Sequence, residues 1–140
     1  DGDSVIVDYK AGKARAADWF GDRPAKPQLL LYGLAADGPP AALAFAQLRP
    51  GECQYVGVGE VGAIPGVKTD IGKAVGKDAG IDDWAALNER WREQLNLLAN
   101  EFVSGIARVD PLASNSCTYC GLQALCRIDA DDAEQQEVLQ

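Results

Sequence analysis

The sequence predicts an α/β fold, a mixed β-sheet flanked by helices. Three observations point there: a β-branched run at Val5-Ile6-Val7, two further strand-like segments at Ala42 to Leu48 and Gln54 to Gly59, and an amphipathic helix from about Trp84 to Ile106. Strand signals that alternate with helical ones belong to layered α/β architectures. At 140 residues the chain is one domain or part of one, and its hydrophobic content of 47% argues against wholesale disorder.

The first strand ends in Asp8-Tyr9-Lys10. Strand alternation puts Asp8 and Lys10 on one face and Tyr9 on the other. A carboxylate and an ammonium at the end of a buried strand are costly to place unless something uses them. Phosphodiester cleavage needs such a pair: the carboxylate to bind a divalent cation, the lysine to orient water or steady charge on the phosphate. A surface strand end with a local ion pair is the bland alternative, and an acid-x-Lys tripeptide alone does not exclude it.

A helix follows. Pro24 and Pro27 bracket its start, Leu29, Leu30, Leu31, Leu34, Ala35 and Ala36 continue it, and Asp37-Gly38-Pro39-Pro40 stops it. Gln28 and Tyr32 stand four residues apart and share one face, so the helix can aim an amide and a phenol at the active edge of the strand. An ordinary amphipathic helix with a solvated Gln reads the same way.

Ala42 to Leu48 and Gln54 to Gly59, joined by Arg49-Pro50-Gly51-Glu52, predict an antiparallel hairpin. Val61 to Gly80, with five glycines and a proline, reads as a mobile loop. Its Lys68, Lys73 and Lys77 are placed to touch a DNA backbone, or are merely solvated. Ile81-Asp82-Asp83 precedes the long helix, whose Trp84, Leu87, Trp91, Leu95, Leu98 and Phe102 recur at helical spacing and mark a buried face. Asp110-Pro111 ends it, and no internal repeat is present.

Near the C-terminus, Cys117-Thr118-Tyr119-Cys120 is followed by Cys126, a metal-ligand spacing that requires a fourth ligand from elsewhere or an open position. Cys53 is the only other cysteine. A zinc-stapled interaction module that uses Cys53 with the other three is a weaker alternative.

Taken in order, these elements resemble the PD-(D/E)xK nuclease superfamily, in its RecB/AddB-type branch with C-terminal iron–sulfur cysteines. Asp8-Tyr9-Lys10-Ala11-Gly12, the Gln28-x3-Tyr32 helix and the three cysteines carry the resemblance. It implies a restriction-endonuclease-like α/β core, incomplete at the N-terminus, with a mixed sheet flanked by helices. Asp8 and the Tyr9 carbonyl would bind Mg²⁺ or Mn²⁺, Lys10 would be the catalytic lysine, and Gln28 and Tyr32 would steady the site and the DNA strand. Cys117, Cys120 and Cys126 would hold a 4Fe–4S cluster with a fourth cysteine upstream. On this reading residues 1–109 are the C-terminal part of a nuclease core, 110–128 the cysteine segment and 129–140 an acidic tail. Asp1-Gly2-Asp3 is the turn from a preceding strand, and the chain by itself does not cleave DNA efficiently. The implied partners are DNA and a helicase subunit or domain. A nuclease-like scaffold that no longer cuts is the other reading.

A net charge of −8 runs against DNA binding, which draws much of its affinity from phosphate neutralisation. The acids, however, gather in the tail (Asp129, Asp131, Asp132, Glu134 and Glu137), while Lys10, Lys13, Arg15, Arg23 and Lys26 concentrate around the candidate strand and helix. The longest apolar run is too short to span a bilayer, which implies no membrane partner. Clustered cysteines without a distributed framework favour a reducing compartment, the cytoplasm.

Overall fold

The computed structural model describes residues 4–62, 64–76 and 79–126. The expected turn at Asp1-Gly2-Asp3, Lys77 and the acidic tail at 129–140 lie outside the described residues. The chain divides into two compact units, Asp1–Asn100 and Glu101–Gln140.

In the first unit four strands form one sheet in the order β1 (Val5–Lys10), β2 (Ala42–Arg49), β3 (Glu52–Gly59) and β4 (Val67–Lys68). β1 is parallel to β2, β2 antiparallel to β3, and β3 parallel to β4. The fold is therefore α/β with a mixed sheet flanked by helices, in keeping with a restriction-endonuclease-like core. Parallel strands cannot be joined by a tight turn. The chain accordingly crosses from β1 to β2 through a 3₁₀ turn, Ala16–Trp19, and helix α1, Gln28–Ala35. The β2–β3 hairpin closes over Pro50-Gly51, with Arg49 opposite Glu52. Proline presets the first turn position, and Gly51 at φ 76° supplies the left-handed one that a side chain resists.

β2 is buried from Ala42 to Gln47, as expected of a strand covered on both faces. Around it the core gathers Leu29 and Leu30 of α1, Leu43 and Phe45 of β2, and Trp84, Leu87, Trp91 and Leu95 of helix α3 (Trp84–Val103). Trp19 fills the middle, its ring centroid 4.6 Å from Phe45 and 6.5 Å from Trp91. The indole N–H groups fix the packing direction: Trp91 donates to the Trp19 carbonyl at 3.0 Å and Trp84 to the Pro40 carbonyl at 2.8 Å.

Two sequence expectations are corrected. Residues 61–80 are not simply a loop, because they contain β4 and the short helix α2 (Ile71–Val75). Gly66, at φ 92°, passes so close to β3 that an added Cβ would clash with the Tyr55 carbonyl oxygen. The glycine that reads as looseness is there for close approach. Asp70 then caps α2 by accepting the Lys73 N–H at 2.9 Å.

The long helix starts where Asp83 accepts the Ala86 N–H at 2.7 Å, an N-cap. It ends at Val103, short of Ile106. Gly105 adopts φ 70°; its N–H bonds to the Phe102 carbonyl and that of Ile106 to the Glu101 carbonyl, a Schellman closure. Phe102 is 86% exposed, not on the buried face as the periodicity implies.

Within the second unit, Arg108 pairs with Glu101 at 2.8 Å. A 3₁₀ turn at Ser114–Cys117 and a single turn of helix α4 at Gln123–Cys126 follow. Among the described residues no helix is long and apolar enough to cross a membrane.

Candidate active site

β1 ends with its two charged side chains on one face. Lys10 Nζ lies 2.7 Å from Asp8 Oδ2 and 5.6 Å from the centroid of the Phe45 ring, which sits on the neighbouring strand. Tyr9, on the opposite face, is 71% exposed. The Asp8–Lys10 approach is off the hydrogen-bonding direction, so Oδ2 is a buried oxygen with a charge partner but no hydrogen bond among the described residues.

Helix α1 brings the second group of residues. Gln28 Nε2 donates to the Tyr32 hydroxyl at 2.9 Å across one helical turn. That hydroxyl, having accepted from the amide, keeps its own hydrogen for another acceptor. Lys10, Gln28 and Tyr32 line one hollow of about 500 Å³, together with Lys26, Pro27, Leu31 and Phe45. The volume is that of a small-molecule site, with an apolar floor and few polar groups. A hollow of about 560 Å³ lies elsewhere in the unit, against Phe20, Trp91 and the exposed Asp22–Arg90 pair. It gathers none of the strand-end residues, and the first hollow is the one with convergent chemistry.

Lys26 and Asp18 are the residues that sequence reasoning missed at this site, beyond Lys26 as one of several nearby cations. Asp18 is buried, at 8% exposure. Its carboxylate accepts Arg15 at 2.9 Å and Lys26 at 2.9 Å. Burial pushes the Asp18 carboxyl up, but the hydrogen bond and charge of Lys26, then those of Arg15, outweigh it and hold the group below the usual carboxylate range. The Asp18 carbonyl also accepts the N–H groups of Ala25 and Lys26. The Arg15-x-x-Asp18 spacing was the visible signal; the partnership with Lys26 exists only in the fold.

The cofactor expectations are corrected. Among the described residues no group of three or more His, Cys, Asp or Glu side chains can hold a metal ion. Mg²⁺ or Mn²⁺ keeps several oxygen ligands, whereas Asp8 is turned onto Lys10 and, among the described residues, is joined by no second and third carboxylate. The 4Fe–4S cluster fails for a different reason. Cys117 closes a 3₁₀ turn, Cys120 gives its N–H to the Cys117 carbonyl, and Cys126 ends α4 with its N–H on Leu122. Backbone hydrogen bonding sets these positions, and the thiols do not converge on one centre. Cys53 is exposed on β3 with its thiol toward the Arg49 carbonyl at 3.8 Å.

No curated protein and no solved structure matches the chain. The RecB/AddB-type iron–sulfur assignment is corrected to a broader one, because the cluster is absent among the described residues and the family match stands at the level of the superfamily. Residues 1–127 match the PD-(D/E)XK nuclease superfamily, and the chain belongs to it.

Proposed function

We propose that this chain is the nuclease module of a DNA repair or recombination protein, acting on DNA ends beside a helicase subunit or domain in the cytoplasm. The observation that carries the reading is the convergence of Lys10, Gln28 and Tyr32 on one hollow at the end of β1, in a chain of the nuclease superfamily. The reaction is hydrolysis of a phosphodiester: a water oxygen bonds to phosphorus, the bond from phosphorus to one ester oxygen breaks, and the departing oxygen takes up a proton. Lys10 stabilises the negative charge that grows on the phosphoryl oxygens. Tyr32, oriented by Gln28, donates its hydroxyl hydrogen to the strand and fixes its position. Asp8, 2.7 Å from the ammonium, holds Lys10 in place at the strand end.

The described residues alone do not complete a hydrolytic centre, and the chain by itself is expected to be inactive. The same fact favours a second reading, a nuclease-like DNA-binding scaffold that does not cut. Cleavage of linear DNA by the full-length parent, wild type beside Lys10→Ala, separates the two. The first reading expects cleavage that falls at least about 10²-fold in the variant. Undiminished cleavage by Lys10→Ala would overturn the mechanism, and no cleavage by folded wild type would leave the scaffold.

A further inference from the structure

The Arg15–Asp18–Lys26 network is more construction than a surface loop needs. A buried carboxylate is costly unless charge and hydrogen bonds repay it. Here it is spent on holding Lys26. The Asp18 side chain takes the Lys26 ammonium at 2.9 Å, and the Asp18 carbonyl takes the Lys26 N–H at 3.2 Å. The lysine is thereby fixed from both its ends, just before Pro27 and the first turn of α1. Its side chain lines the same hollow as Lys10, Gln28 and Tyr32.

Charge counting distinguishes the two lysines. Lys10 faces one carboxylate, Asp8, and that pair is neutral. Arg15 and Lys26 share the single carboxylate of Asp18, so two cations meet one anion and the network keeps one positive charge. Lys26 is also 45% exposed at its side chain, and an ammonium has three donors of which Asp18 takes one. The hollow thus has a net positive wall at Lys26 and an apolar floor of Leu31, Pro27 and Phe45.

We infer that Lys26 is a second phosphate-binding residue of this hollow, contacting a backbone phosphate of the strand whose neighbouring phosphate meets Lys10. The inference rests on the nuclease-module reading and adds a residue to it. Lys26 acts by charge, so its removal lowers the number of counterions released on binding.

The test is the salt dependence of binding of a fluorescent oligothymidylate to the full chain, measured by anisotropy. Wild type is compared with Lys26→Gln, Lys26→Arg, Lys10→Gln and, as a surface control, Arg92→Gln. Loss of one phosphate contact on a single strand makes the slope of log K against log salt shallower by about 0.7. That change is expected for Lys26→Gln and not for Lys26→Arg or Arg92→Gln. Lys26→Met, which keeps the apolar stem, gives the same reading should the Gln variant unfold. A wild-type slope in folded Lys26→Gln, with a shallower one in Lys10→Gln, would overturn the Lys26 assignment and leave the functional reading standing. A wild-type chain that binds no oligonucleotide at low salt would overturn both.

Discussion

Asp18 sits between two partly exposed cations, and its carboxyl lies below the usual range in the folded chain. The folded state therefore holds that proton less tightly than the unfolded chain does. The resulting stability is fully present above the ordinary Asp value, about pH 4, and is lost as pH falls through the lower folded value. Asp18→Asn is expected to cost about 1.5–3 kcal/mol near neutrality, the range for hydrogen bonds to charged groups. Urea unfolding of both proteins checks this, and the gap between them should close below about pH 4. A gap that persists unchanged into that range would mean the carboxylate charge contributes nothing. Lys10 poses a different question at the same scale. Its partner Asp8 was legible from a two-residue spacing, because a strand puts alternate side chains on one face.

The long helix α3 was legible as an element, and its two ends show how far periodicity reaches. Trp84, Leu87, Trp91 and Leu95 are buried as their spacing implies, whereas Phe102 continues the spacing and is exposed. Hydrophobic period describes the helix surface, not the extent of what covers it. Trp91→Ala is expected to destabilise by about 3–5 kcal/mol, since it removes a buried ring that meets Trp19, Phe20 and Trp84. Phe102→Ala should stay within about 0.5 kcal/mol of wild type, as surface substitutions do. Chemical denaturation of the two variants side by side measures the contrast, and a large loss in Phe102→Ala would mean that this face is covered after all. The segment at 61–80 was missed for the opposite reason. Its glycines break any periodic pattern, while the approach of Gly66 to Tyr55 and the cap at Asp70 set the short strand Val67–Lys68 and the helix Ile71–Val75.

Across the whole molecule, a net charge of −8 coexists with a cationic wall at one hollow. Local arrangement, not the total, decides whether a phosphate is welcome there. The cysteines are a property of the same scale. Metal binding of the structural kind is folding free energy. Because the thiols do not converge among the described residues, chelator dialysis should leave the thermal unfolding curve of this chain unchanged. Cys117→Ser and Cys120→Ser should likewise change stability by less than about 0.5 kcal/mol. A drop in melting temperature after dialysis, with metal recovered in the dialysate, would contradict this.

The sequence by itself determined the β-branched strand with Asp8 and Lys10 on one face, the Pro50-Gly51 hairpin, the shared face of Gln28 and Tyr32 and the long helix that starts at Trp84. Each of these is written in spacings of two to four residues, the range over which backbone geometry alone fixes neighbours. Only the tertiary structure decided that α1 and the residue pair before it lay Lys26, Gln28 and Tyr32 around Lys10, and that Asp18 reaches Lys26. It also decided that a C-x2-C and a third cysteine make no common centre. Those outcomes depend on the crossover between β1 and β2 and on which backbone groups each turn satisfies. Convergence of side chains from separate elements is set by packing, which no local spacing encodes.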